Sequence, residues 1–191
     1  MKRIGTAIHW LAAGLLFATA TPASAEGDVY QHQIRRVNAI VFDAAKRSEF
    51  LVATAYGLLA VAPDGLIRRV STNAGGLSEL VRDPKSPRTL YASGYRSKTE
   101  KLGITRSDDG GKTWSHLAEG AGGLVAFHAM AISASDPDTI YGIERELQVS
   151  HDAGRTWSRV GGLPDQAIDL AVAVTDPKRL YVATRQGLFE S

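Results

Sequence analysis

Two short acidic stretches are the first places in this sequence to look for chemistry. "SDDGGKTW" runs from Ser107 to Trp114, and "SHDAGRTW" runs from Ser150 to Trp157. Both place the same residue types at the same offsets. The first has Ser107, Asp109, Gly111, Thr113 and Trp114; the second has Ser150, Asp152, Gly154, Thr156 and Trp157. Carboxylates beside hydroxyls suggest a cation site. A calcium loop, however, needs ligands at alternate positions and a distal bidentate glutamate, and neither stretch has them. The residue types suit a turn better. Aspartate accepts hydrogen bonds from N–H groups of its own turn, and glycine takes a positive φ without a Cβ penalty. Thr113 and Thr156 are expected to start the next strand, and the tryptophans to bury aromatic area between neighbouring sheets. No metal and no cofactor is expected.

Four segments fall into one register: "NAIVFDAAKRSEFLVAT" from Asn38, "SELVRDPKSPRTLYASG" from Ser78, "HAMAISASDPDTIYGIE" from His128 and "IDLAVAVTDPKRLYVAT" from Ile168. They define units 38–77, 78–127, 128–167 and 168–191. Each unit offers short apolar or β-branched runs separated by Asp-Pro, Gly-rich or hairpin turns, and sustained helical periodicity is absent. Four strands per unit at a period of about 40 residues is the pattern of a β-propeller blade. The expected fold is all-β, with about four blades of four antiparallel strands. The acidic motif lies between the third and fourth strands. The first unit has a plain "APDG" turn there, and the fourth stops at Ser191, where the motif would begin.

The two motifs resemble the Asp-box, or BNR repeat, of sialidase-type, sortilin-type and photosystem II assembly factor-type propellers. The resemblance covers residues 38–191 and implies that the motif is a structural hairpin remote from the ligand face. A sialidase would further need three arginines, a Tyr–Glu pair and an acidic aspartate. The family's first arginine sits in an Arg-Ile-Pro type motif. This chain offers only "IRRV" at Ile34–Val37, with no proline after it.

Strand alternation sends the first-to-second turns, including Asp176–Arg179, to the same face as the acidic hairpins. The second-to-third hairpins and the "AGGL", "AGGL" and "VGGL" links go to the other face, where propellers bind. Candidate binding residues on that face are Tyr95, Arg96, Lys98 and Lys101 in the long hairpin, Glu144 and Arg145 in the next, and Arg185 in the last. His128 starts an innermost strand in register with Asn38 and Ser78.

The N-terminus has Lys2 and Arg3, an apolar run from Ile4 to Ala20, and Ala23-Ser24-Ala25, which reads as a signal peptide over residues 1–25. The mature chain would then carry no membrane span and lie in the periplasm or outside the cell. Without Lys2 and Arg3 the charge is balanced, so nucleic acid is not an expected partner. The chain has no cysteine, which excludes disulfides and thiolate catalysis. The reading is a non-catalytic exported binding or assembly scaffold with a protein or glycan partner. The alternatives are a sialidase-like glycoside hydrolase and a truncated propeller without activity of its own. The blades are expected to form an open arc whose free edges allow self-association. In a closed ring, the 26–37 segment would supply a strand, Tyr30–Val37, to the edge at Gly187–Ser191.

Overall fold

The computed structural model describes residues 34, 36–43, 46, 48–71, 73–163 and 166–191. The signal-peptide reading and most of the proposed N-terminal strand fall outside these residues.

The described chain forms fifteen strands in four antiparallel sheets. Blade 1 holds β1 (Val37–Phe42), β2 (Phe50–Thr54), β3 (Gly57–Val61) and β4 (Ile67–Arg69). Blade 2 holds β5 (Gly76–Arg82), β6 (Leu90–Tyr95), β7 (Lys101–Ser107) and β8 (Ser115–Ala118). Blade 3 holds β9 (Ala129–Ile132), β10 (Ile140–Ile143), β11 (Leu147–Ser150) and β12 (Ser158–Gly161). Blade 4 has three strands, β13 (Ala167–Ala173), β14 (Asp176–Thr184) and β15 (Gly187–Glu190). Every sheet is a meander in chain order, because each connection is short enough to pair neighbours. First strands lie nearest the common axis, with β1 against β5, β5 against β9 and β9 against β13.

The second strands of blades 2 and 3 are apolar on both sides because a neighbouring blade covers each side. Leu51 and Ala53 of β2 face blade 2, whose Leu80, Leu90 and Ala92 face back. Tyr91 and Ile104 of blade 2 meet Phe127, Met130 and Ile140 of blade 3. Tyr141, Ile143 and Leu147 of blade 3 meet Leu170, Leu180 and Val182 of blade 4. Burying each such large side chain is worth about 1.5–3 kcal/mol. The outer strand β12, "SRVG", is exposed throughout. Among the described residues no comparable packing joins blade 4 to blade 1. The described residues form an open arc of four propeller blades.

Two local expectations need correction. Thr113 and Thr156 do not start fourth strands, because β8 begins at Ser115 and β12 at Ser158. Their N–H and hydroxyl groups are tied back to Asp109 and Asp152, which keeps them in the loop. Asp176–Arg179 is not a turn either. Ala173 pairs with Asp176, so the turn shrinks to Val174–Thr175 and the strand starts at Asp176.

Candidate functional site

The two acidic stretches form one hairpin built twice. Ser107 donates its hydroxyl to Asp109 at 2.8 Å and accepts the Gly111 N–H at 2.8 Å. Ser150 does the same with Asp152 and Gly154, both at 2.8 Å. The carboxylates then accept the threonine N–H and hydroxyl, at 3.0 and 2.7 Å for Asp109 and 2.8 and 2.6 Å for Asp152. Each indole N–H donates to the carbonyl of its own motif glycine, Trp114 to Gly111 and Trp157 to Gly154. Gly111 has φ +88°, and a Cβ there would run into Leu58 of blade 1.

Burial acts to raise the Asp109 pKa, but the donors from Thr113, Ser107 and the Lys112 N–H outweigh it and hold the group at about 2. The Thr156 hydroxyl and N–H, with help from Ser150, hold Asp152 at about 2 as well. Both carboxylates are saturated by their own loops. The hairpins are also pinned to the first-to-second turns, Gly110 N–H to the Arg88 carbonyl and Ala153 N–H to the Asp138 carbonyl. A cleft of about 440 Å³ opens beside the first hairpin, lined by Lys46, Leu51, Arg68, Arg88 and Lys112. Leu51 stands there where the other blades carry Tyr91, Tyr141 and Tyr181.

The opposite face is held by bonds that differ at each joint. Asn38 donates to the Leu77 carbonyl at 2.6 Å, tying blade 1 to blade 2. Ser93 accepts the Phe127 N–H at 3.0 Å and donates to the Gly103 carbonyl, tying blade 2 to blade 3. His128 bonds the Ala167 carbonyl at 3.2 Å, tying blade 3 to blade 4. Asn38 and His128 thus do the same job at one register position.

The eight candidate binding residues do not converge on one site. Tyr95, Arg96 and Lys98 line a cleft of about 520 Å³ together with Arg36, Asn38 and Ser97. The link residues Gly76, Leu77 and Ser78 also line it. A Cβ on Gly76 would meet the Ala55 carbonyl at 2.8 Å, so glycine lets the link pass this close to blade 1. Arg96 lies 3.6 Å from Glu100 in an exposed pair. Lys101 and Glu144 form a partly buried ion pair at 2.7 Å, and the same oxygen of Glu144 also accepts the Ala126 N–H. These two, with Arg145, line a second cleft of about 240 Å³ between blades 2 and 3. Arg185 is exposed on blade 4.

One pair of groups was not read from the sequence. Glu79 on β5 and Asp169 on β13 hold the same register position, where blades 1 and 3 carry Ala39 and Ala129. Each carboxylate accepts the N–H of the next residue, Leu80 at 2.9 Å and Leu170 at 2.8 Å. Burial pushes Glu79 up to about 7, the Leu80 N–H opposes this, and the Asp169 charge adds to it. The four aligned segments carried this signal in their second column. Among the described residues no group of three or more potential ligands is arranged for a metal.

No family model matches the chain, and no curated protein matches it. Solved structures do. An ancestral GH74 enzyme superposes over 82% of this chain and 25% of its own length, with a TM-score of 0.58 and 16% identity. A gluconolactonase from Xanthomonas campestris covers 81% of this chain and 58% of its own length, with a TM-score of 0.59 and 14% identity. YCF48 from Cyanidioschyzon merolae covers 60% of this chain and 33% of its own, with a TM-score of 0.47 and 21% identity. The fold is that of β-propeller blades. The chain spans between a quarter and three fifths of the length of these structures.

Proposed function

We propose that this chain is a non-catalytic binding or assembly scaffold, exported to the cell envelope, built on propeller blades of the Asp-box type. The repeated hairpins support the Asp-box assignment, since each motif residue makes the bond its type suggests. The observation that carries the function is the cleft of about 520 Å³ between blades 1 and 2. It is open and basic at Arg36, Arg96 and Lys98, and Tyr95 at its wall is 38% exposed. Basic groups beside an aromatic side chain suit an acidic protein surface or an acidic glycan. Replacing Arg96 and Lys98 together by glutamate tests this. The expected result is at least a tenfold loss of partner capture from envelope extract with an unchanged melting temperature. Equal capture by both proteins would contradict it. Export is tested by the intact mass of protein recovered outside the cytoplasm, which should begin at Glu26.

A second reading, a glycoside hydrolase, is favoured by one observation. Burial, with a contribution from the Asp169 charge, raises Glu79 to about 7, which suits the general acid of a glycoside hydrolase. Glu79→Gln would then abolish hydrolysis of chromogenic glycosides. The scaffold reading expects no hydrolysis by the wild type.

A further inference from the structure

We infer that a smaller pocket on the loop face seats one unit of a uronic acid-containing glycan, its hydroxyl groups at Ser71, Arg69 and the Gly75 carbonyl and its carboxylate at Arg96. The pocket measures about 250 Å³ and adjoins the cleft between blades 1 and 2, with which it shares Ala55, Gly76 and Arg96. The inference rests on the binding reading of that cleft and names the class of its ligand. Drug-sized ligands occupy about 300–1,000 Å³. The pocket lies below that range and suits a single ring.

A glycine keeps the pocket open. Gly57 has φ +108°, and a Cβ there would lie 3.5 Å from the Gly75 carbonyl oxygen, 3.6 Å from Arg69 Nη1 and 3.7 Å from Ser71 Oγ. Three polar atoms thus face one space that glycine leaves free. Ser71 is the decisive one. It is 2% exposed, and its hydroxyl is the one buried side-chain polar atom among the described residues without a hydrogen-bond partner. Leaving a buried hydroxyl unpaired is costly, so such a group marks a place where a partner is expected. The wall beside it is already fixed. The Thr54 hydroxyl donates to the Gly57 carbonyl and accepts the Tyr56 N–H, and Arg69 Nη1 donates to the Tyr56 carbonyl at 2.8 Å. Little ordering is left for a ligand to impose.

The mixture of donors and acceptors selects the ligand. A carboxylate only accepts and an ammonium only donates, whereas a hydroxyl does both. Arg69 and Ser71 offer donors, and Gly75 and Ser71 offer acceptors, a set that ring hydroxyls satisfy. Tyr56 lines the same pocket and is 62% exposed, so its ring is available to the C–H face of a sugar. Charge is added where the two clefts meet. Arg96 lines both, and its ion pair with Glu100 is exposed and long at 3.6 Å, which leaves guanidinium N–H groups for an anion. Arg36 and Lys98 carry the basic lining onward in the larger cleft. Hydroxyls and a carboxylate on one ring are the chemistry of a uronic acid. An acidic protein side chain brings the carboxylate without the hydroxyls.

The test is titration of the purified full chain with labelled oligosaccharides of galacturonate, mannuronate and glucuronate, and with their methyl esters, which keep the hydroxyls and lose the charge. At least one acid should bind saturably at physiological salt, and its ester about tenfold more weakly. Ser71→Ala should weaken binding of that acid by about threefold to tenfold. Its melting temperature should stay the same or rise, because the hydroxyl it removes has no partner in the free protein. Tyr56→Ala, at an exposed side chain, should also bind more weakly and stay folded. No binding of any of the three acids would overturn the inference. Wild-type affinity in both Ser71→Ala and Tyr56→Ala would overturn the pocket as the seat, and equal affinity for acid and ester would overturn the uronic acid. Neither Ser71→Ala nor Tyr56→Ala alters a charge, so their outcome is separate from partner capture by the Arg96 and Lys98 double variant, which tests the larger cleft.

Discussion

The two faces of the arc are built on different principles. On the hairpin face the same five residue types make the same bonds twice, and matching distances differ by at most 0.2 Å. All of those partners lie within four residues of each other. On the loop face each joint is tied differently, by Asn38, by Ser93 or by His128, across 34 to 39 residues of sequence. A face made of local bonds can be copied from blade to blade. A face made of long-range bonds is free to differ, and that is where a binding surface can develop.

The strongest way to break this contrast is at the hairpin's anchor. Trp157 tilts against the buried Phe127 ring at 5.0 Å and closes the joint between blades 2 and 3. Trp157→Ala should cost about 3–5 kcal/mol in chemical denaturation. Asp152→Ala comes next, at about 1–2 kcal/mol, because three donors lose their acceptor. The two hairpin aspartates also set an acid limit. Their folded pKa values near 2 lie below the ordinary 3.8, so their stabilisation is present above pH 3.8 and is lost as the pH falls toward 2. Asp109→Asn and Asp152→Asn together should flatten that part of the thermal stability profile.

Glu79 should give the opposite slope. Its folded pKa near 7 lies above the ordinary 4.5, so the fold favours the protonated form. Stability should be greatest below pH 4.5, fall between pH 4.5 and 7, and level off above. Glu79→Gln should raise the melting temperature at pH 8 by roughly 2–4 °C and leave it unchanged at pH 4.5. A pH-independent effect would remove Glu79 from both the stability argument and the hydrolase reading. The smallest effect belongs to the loop-face ties. His128→Ala should cost about 0.5–1.5 kcal/mol, since one hydrogen bond at an exposed side chain is lost.

This contrast also explains what could be read from the sequence. The blades were legible because strand alternation and the turn residues of "SDDGGKTW" and "SHDAGRTW" are local signals. The aspartates as acceptors of their own turn followed from residue type alone. The start of the fourth strands was misplaced because the tie from Thr113 back to Asp109 competes with the strand preference of threonine. On the loop face, residue type gave candidates but not partners. Lys101 read as a free cation at a hairpin tip, and its pairing with Glu144 depends on how blade 3 sits against blade 2. His128 read as a possible ligand-face residue, and its bond to Ala167 depends on blade 4. Glu79 and Asp169 are 90 residues apart, and only the alignment of innermost strands puts them at one level.

The central claim is that the loop face binds and the hairpin face does not. A photo-crosslinking amino acid placed singly at Arg96 and at Lys112, both exposed and on opposite faces, tests it in living cells. The account predicts a discrete adduct from position 96, the same partner band in repeated preparations, and none from position 112. An adduct from position 112 alone would contradict it.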